Sequence, residues 1–207
     1  MSLLDRVDGV DAELAQQRRV LAQVLLLNAL LAGGLLATGI YADSSGLIAN
    51  ALDNASDSVV YAISYFAVGR SARGKTVAAS VSGVMLLMLA LSVMIDALRR
   101  FVVGSDPVSG VMVGMSLAAA GINLWSLRLL APLHLTDVNV RAAHTFSIND
   151  FVSNLGVLVA AVLVAWTGRF WPDVVVGLSI ALVVGKGGIE ILRDVQRTAR
   201  DHGGEPA

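Results

Sequence analysis

Residues 20–42 read VLAQVLLLNALLAGGLLATGIYA, twenty-three residues without a single charge. A helix needs about 20 mostly apolar residues to cross a bilayer, because lipid offers bare backbone N–H and C=O groups no partner. Five comparable blocks follow. Gly46–Gly69 is interrupted only by Asp53 and Asp57, and Thr76–Ile95 is uncharged. A fourth block begins after Pro107, a favourable residue for a helix start, and ends at Leu130. The fifth, Ala142–Gly168, contains Asp150, and the sixth, Pro172–Leu192, carries Lys186 and Glu190 in its last turns. Those two are spaced i,i+4 and can pair while the lysine reaches for the headgroups. The pattern predicts an all-α membrane protein of six transmembrane helices.

Composition agrees. The chain has 207 residues, 56% hydrophobic and 15% charged, with mean hydropathy +0.72; a soluble domain carries about 25% charge. Zero cysteines exclude a disulfide-stapled domain, thiolate metal sites, iron–sulfur clusters and thiol catalysis. A net charge of −1 gives no electrostatic case for nucleic acid as a partner.

Six spans put both termini on one side, and Lys and Arg decide which. Arg6, Arg18, Arg19, Arg70, Arg73, Lys75, Arg128, Arg141, Arg193, Arg197 and Arg200 fall on one side; only Arg99, Arg100 and Arg169 fall on the other. Both termini are therefore expected in the cytoplasm. Residues 1–19, with Asp5, Asp8, Asp11 and Glu13, do not resemble a secretory signal and read as a cytoplasmic surface segment. Residues 20–192 form the membrane domain and 193–207 a short cytoplasmic tail, too small to fold alone. The lipid bilayer of a plasma (inner) membrane is the expected environment.

An ionisable side chain deep in a span costs roughly 2.5–3.5 kcal/mol on insertion scales and is a functional candidate for that reason. Asp53, Asp57 and Asp150 qualify. Asp43, Asp96, Asp106, Asp137 and Asp173 stand at span ends, where solvation is the plain explanation. Asp53 and Asp57 share one helix face, where like charges repel unless a cation lies between them or one is protonated. Asn50 and Asn54 extend that stripe outwards, and Tyr61 and Ser64 extend it inwards. On the fifth span Ser147, Asp150 and Asn154 also share a face. At 1.5 Å per residue Asp57 lies about 16 Å from the start of its span, and Asp150 about 12 Å from the start of its own. The two spans run in opposite senses, which puts Asp57 level with the interval between Asp150 and Asn154. Three carboxylates and an amide are thus expected to converge near the midplane, an oxygen-rich set suited to a divalent cation. The competing reading is that buried Asp and Asn residues simply hold helices together.

The runs ANALDNASDSVVYAISYFAVGRS (49–71), NVRAAHTFSINDFVSNLGVLVAA (139–161) and WPDVVVGLSIALVV (171–184) resemble the cation diffusion facilitators. That resemblance covers about residues 20–195. It implies a six-helix metal:proton antiporter functioning as a homodimer, a transporter and not an enzyme. It also implies a transport site built from one four-residue-spaced pair on the second helix and another on the fifth. Asp53 and Asp57 match the first pair, and Asp150 matches the aspartate of the second. The family's fifth-helix pattern is His-x-x-x-Asp, and its histidine position is Phe146 here. His144 lies about 200° away around the helix. Asn154, Ser147 or water would then complete the metal set of Asp53, Asp57, Asp150 and Asn154. Without imidazole the expectation moves from Zn²⁺ towards Mn²⁺ or Fe²⁺, with Co²⁺ and Cd²⁺ also open. No cofactor is expected beyond the transported ion. A His-rich cytoplasmic loop and a C-terminal metal-sensing domain have no counterpart, so the resemblance is to the short branch of the family.

Three functions compete. The first is export of a divalent metal from the cytoplasm in exchange for protons, by alternating access around a midplane site. The second is a non-transporting metal- or partner-binding relative that lost coupling along with the histidine. The third is an intramembrane aspartyl hydrolase, disfavoured because the glycine-flanked aspartate motif GxGD does not occur. His134 and Asp137 are candidates for a shallow cytoplasmic metal-access site. Asn28 and Asn123 are candidates for interhelical hydrogen bonds or contacts behind the site. Ala32-Gly33-Gly34, Gly110, Gly114 and Ala118-Ala119-Ala120 are expected to be close helix contacts. Trp125, Trp166, Trp171, Tyr41 and Tyr61 are expected as interface or packing aromatics.

Overall fold

A computed structural model describes residues 3–67, 72–133 and 138–203. Among them there are six α-helices and no strand: α1 (Leu3–Tyr41), α2 (Ser45–Ala67), α3 (Ala72–Val103), α4 (Ser109–Leu130), α5 (Val138–Thr167) and α6 (Trp171–Gly203). Five are long and apolar enough to cross a membrane, over Arg18–Tyr41, Ala79–Val103, Ser109–Leu130, Ser147–Thr167 and Trp171–Arg197. α2 is not among these five; Asn50, Asp53, Asn54, Ser56 and Asp57 lower its hydropathy. Several helices overrun the apolar blocks. α1 begins at Leu3, far ahead of Val20, and α6 continues to Gly203 through most of the expected tail.

Helix ends follow from local chemistry. Gly104, at φ +93°, closes α3 with its N–H on the Arg100 carbonyl at 2.8 Å. Gly168, at φ +64°, closes α5 in the same way on Val164 at 2.9 Å. Both are left-handed C-terminal caps, a conformation in which a Cβ is penalised. Asp43, at φ +50°, takes the equivalent position after α1 despite its side chain, and that side chain receives Arg100, discussed below.

The helices pack chiefly as α3 with α6, α4 with α5, and α1 with α2, with α2 also against α6. The main apolar core joins Leu31 and Leu35 of α1, Leu47 and Leu52 of α2, Leu86 of α3, Met112 of α4, Val157 of α5 and Ala181 of α6. A separate small cluster of Val20, Val24, Leu130 and Leu133 closes the α1–α4 contact at one end.

The close crossings match the expected ones only in part: Ala119 is fully buried in the main core, but the glycines behave differently. Gly33, Gly110 and Gly114 face open space, and Gly34 meets only the tip of Met115 at 3.4 Å. A Cβ on Gly177 would instead lie 2.6 Å from the Ser45 carbonyl carbon, and one on Gly83 2.9 Å from the Leu192 side chain. Spacing along one strand of sequence does not reveal which face of a helix meets a neighbour. Trp166, Trp171, Trp125 and Tyr41 are on the outer surface, and Lys186 pairs with Glu190 at 3.7 Å as their spacing predicts.

Candidate functional site

Two side-chain bonds set α2 against α5. Asn50 Nδ2 donates to Asn154 Oδ1 at 2.6 Å, and Ser153 Oγ donates to the Asp53 carboxylate at 2.8 Å. Moving along α2 from Asn50 to Asp53 moves backwards along α5, so the helices run antiparallel. One turn beyond Asp53, Asp57 therefore faces the stretch Ser147–Asp150. Its carboxylate is within electrostatic range of both Asp150 and Asp53. Depth along the apolar blocks puts Asp57 between Asp150 and Asn154; the bonded register puts it nearer Asp150 and Ser147. The offset arises because α5 begins at Val138, four residues ahead of the apolar block that was counted.

Asp57 is 8% exposed and Asp150 fully buried, and neither Asp150 oxygen has a hydrogen-bond partner among the described residues. The Ser147 Oγ and Asn54 Oδ1 are likewise buried and unpartnered. Asn154 is in a different state. Its Oδ1 is occupied by Asn50 and its Nδ2 donates to the Asp150 main-chain carbonyl at 2.8 Å. Asn54 Nδ2 donates to the Asn50 carbonyl at 3.0 Å, which leaves its oxygen free to accept.

The expected convergence is thus incomplete. Among the described residues no three His, Cys, Asp or Glu side chains gather as a metal cluster. Asp53 turns to Ser153, since a carboxylate beside two others gains more from a hydroxyl donor than from a third like charge. His134 and Asp137 lie outside the described residues, as do the side chains of Tyr61, Ser64, His144 and Phe146. Ser153 is a site residue that the sequence expectation does not include; its signal is its spacing three residues from Asp150 on the same helix.

Asp173 also needs correcting. It is fully buried, not solvated, and its carboxylate caps α2. Ser44 Oγ donates to Oδ1 at 2.7 Å, Ser45 N–H to Oδ2 at 2.7 Å and Gly46 N–H to Oδ1 at 3.0 Å. An acceptor at a helix N-terminus satisfies otherwise orphaned donors and complements the helix dipole. The contact ties the start of α6 to the start of α2, and Gly177 one turn on lets the backbones approach. Close by, Arg100 of α3 bonds Asp43 and Asp96, with its own side chain 8% exposed. These span-end aspartates are partners in a network and not merely hydrated.

A membrane-embedded bundle with opposed buried carboxylates on two antiparallel helices has the architecture of an ion-handling membrane protein. A family model described as the cation efflux transmembrane domain matches residues 21–198, and the chain belongs to that family of multi-pass membrane transporters. It is 25% identical over 128 residues to the cadmium, cobalt and zinc/H(+)-K(+) antiporter of Bacillus velezensis, covering 59% of this chain and 40% of that protein. It is 27% identical over 120 residues to the zinc transporter ZitB of Escherichia coli K12, covering 58% and 38%. Against the metal cation efflux system protein CzcD of Cupriavidus metallidurans it is 25% identical over 158 residues, covering 70% and 50%. The chain thus spans half or less of the length of these relatives.

Proposed function

We propose that this protein is a divalent metal cation transporter of the plasma membrane, exporting metal from the cytoplasm in exchange for protons. On this reading all six helices span the bilayer, residues 20–192 form the transport domain, and both termini are cytoplasmic. The observation that carries it is the α2–α5 register, which brings Asp57 to the level of a fully buried Asp150 whose two oxygens have no partner among the described residues. Two carboxylates there without a counter-charge are unfavourable, and a divalent cation shared between them removes the repulsion. Asn54 Oδ1 and Ser147 Oγ are oxygens able to accept the same ion, and Asp53 joins by turning from Ser153. Asn154 then positions α5 through Asn50 in place of ligating. An all-oxygen set of this kind leaves Mn²⁺, Fe²⁺, Co²⁺, Cd²⁺ and Zn²⁺ open as cargo. The named substrates of the relatives, zinc, cadmium and cobalt, fall within that range. A homodimer is the working assembly.

A second reading, a non-transporting metal- or partner-binding relative, draws on Asn154, whose oxygen is taken by Asn50 and whose amide holds the Asp150 carbonyl, so that neither is offered to an ion. Metal flux into proteoliposomes separates the two, with a pH-sensitive dye inside and wild type beside Asp150→Asn. Metal-dependent proton movement lost in the variant supports antiport. Silence for every metal, from folded protein, overturns it.

A further inference from the structure

The buried faces of α1 and α4, which pack on one another, are not continuously apolar. Along α1 the buried stripe runs Val20, Val24, Asn28, Leu31, Leu35, and along α4 it runs Leu130, Ser126, Asn123, Ala119, Ser116, Met112. Val24 and Leu130 share the small end cluster, while Leu31, Leu35, Ala119 and Met112 belong to the main core. Asn28, Asn123 and Ser126 occupy the gap between those clusters. The Val108 N–H on the Ala42 carbonyl at 3.0 Å fixes the register from the other end, so the three polar residues lie within about a turn of one another in depth.

None of the three has the partners it needs. Both amide atoms of Asn28, both of Asn123 and the Ser126 hydroxyl are buried without a hydrogen bond among the described residues. Buried polar side chains are overwhelmingly paired in folded proteins, to protein or to ordered water. Interhelical hydrogen bonds, one of the two expectations for Asn28 and Asn123, are not what the structure contains. The layer continues into α5. α4 and α5 are joined by the short segment 131–137, and Asn123 and Ser147 stand at like depths from that connection. Ser147 Oγ and, one turn further, both Asp150 oxygens are again unpartnered.

We infer that Asn28, Asn123, Ser126 and Ser147 form a water-holding polar layer between α1, α4 and α5, sealed by a plug of Val20, Val24, Leu130 and Leu133. Amides with two donors and one acceptor oxygen, and hydroxyls that do both, are the groups that hold small clusters of buried water. The layer gives the Asp150 level a wet contact on the side towards the α4–α5 connection. The plug separates that water from the end of the bundle. The use of the layer as an ion passage rests on the transport reading; its hydration does not.

The chain's lack of cysteine permits a background-free test. Single cysteines replace Asn28, Asn123 or Ser126 in the full chain in lipid vesicles, with Leu35→Cys as the dry buried control and Leu30→Cys as the lipid-facing one. A water-soluble methanethiosulfonate reacts only with a hydrated thiolate, so labelling at least about tenfold faster than at Leu35 is expected. Combining Val24→Ala with Leu130→Ala should raise that rate further. Ser126→Cys, a one-atom exchange, keeps the test available where the asparagine variants fold poorly. Rates no faster than at Leu35 and Leu30, even with the plug trimmed, overturn the wet layer. Labelling without metal flux in the same vesicles keeps the layer and removes its role in transport.

Discussion

Removing the Asp173 carboxylate should destabilise the bundle at the end where α6 meets the start of α2. The carboxylate accepts from Ser44 Oγ and from the Ser45 and Gly46 amides at 2.7–3.0 Å, and it is fully buried. Asp173→Ala leaves three donors without an acceptor. A buried orphaned donor costs about 1–3 kcal/mol, and water entering at a helix end holds each to the lower bound, giving about 3 kcal/mol in all. Asp173→Asn retains one oxygen and turns an N–H₂ towards a donor, so about half that loss is expected. Ser44→Ala keeps both amide bonds to Asp173 but also frees the Leu47 N–H that Ser44 Oγ accepts at 3.1 Å, and should lose about 1 kcal/mol, in the range of an N-terminal cap. Denaturant unfolding in detergent micelles, followed by helical ellipticity, reads all three. The order Ala, Asn, then Ser44→Ala is the expected result. An Asp173→Ala protein within about 0.5 kcal/mol of wild type would refute the reasoning, because the capping bonds would then be replaced by water without loss.

Gly177→Ala should destabilise by about 1–3 kcal/mol, since its Cβ would meet Ser45 backbone at 2.6 Å. Gly114→Ala, in open space, should be neutral or stabilising by up to about 1 kcal/mol through helix propensity; the same unfolding assay compares them. Asn50→Ala orphans the Asn154 oxygen and should lose about 1–3 kcal/mol, whereas Asn50→Leu with Asn154→Leu should recover much of it. Arg100→Gln strips Asp43 of its arginine and leaves Asp96 only the longer pair with Arg99 at 3.6 Å, and a loss of about 1–3 kcal/mol is expected for bonds to charged groups. If that variant melts like wild type, the network contributes nothing to stability.

Most of the fold was legible because uninterrupted apolar runs have few alternatives to a spanning helix. The runs around Val20–Ala42, Thr76–Ile95 and Pro172–Leu192 all became helices, and Asp53 with Asp57 stood out because charge is rare there. What the sequence could not convey was direction around the helix relative to neighbours. Gly33 and Gly114 look like contact residues but face open space, while Gly39, Gly83 and Gly177 are among those at tight crossings. Asp173 sits at a span end like Asp43, yet only the fold shows that the α2 N-terminus lies over it. Asn154 shares the Asp150 face, but its bond to Asn50 depends on a register between helices that no single segment encodes.

The most direct measurement is equilibrium binding of Cd²⁺ and Zn²⁺ to purified protein in micelles, for Asp57→Asn, Asp150→Asn and the pair. If both carboxylates hold one ion, each single change should weaken binding by about 2–5 kcal/mol, as for a buried charge losing its partner. The double variant should then add less than the sum of the two, by at least about 1 kcal/mol. Additive losses, or binding untouched by either substitution in folded protein, would contradict a shared ion between α2 and α5.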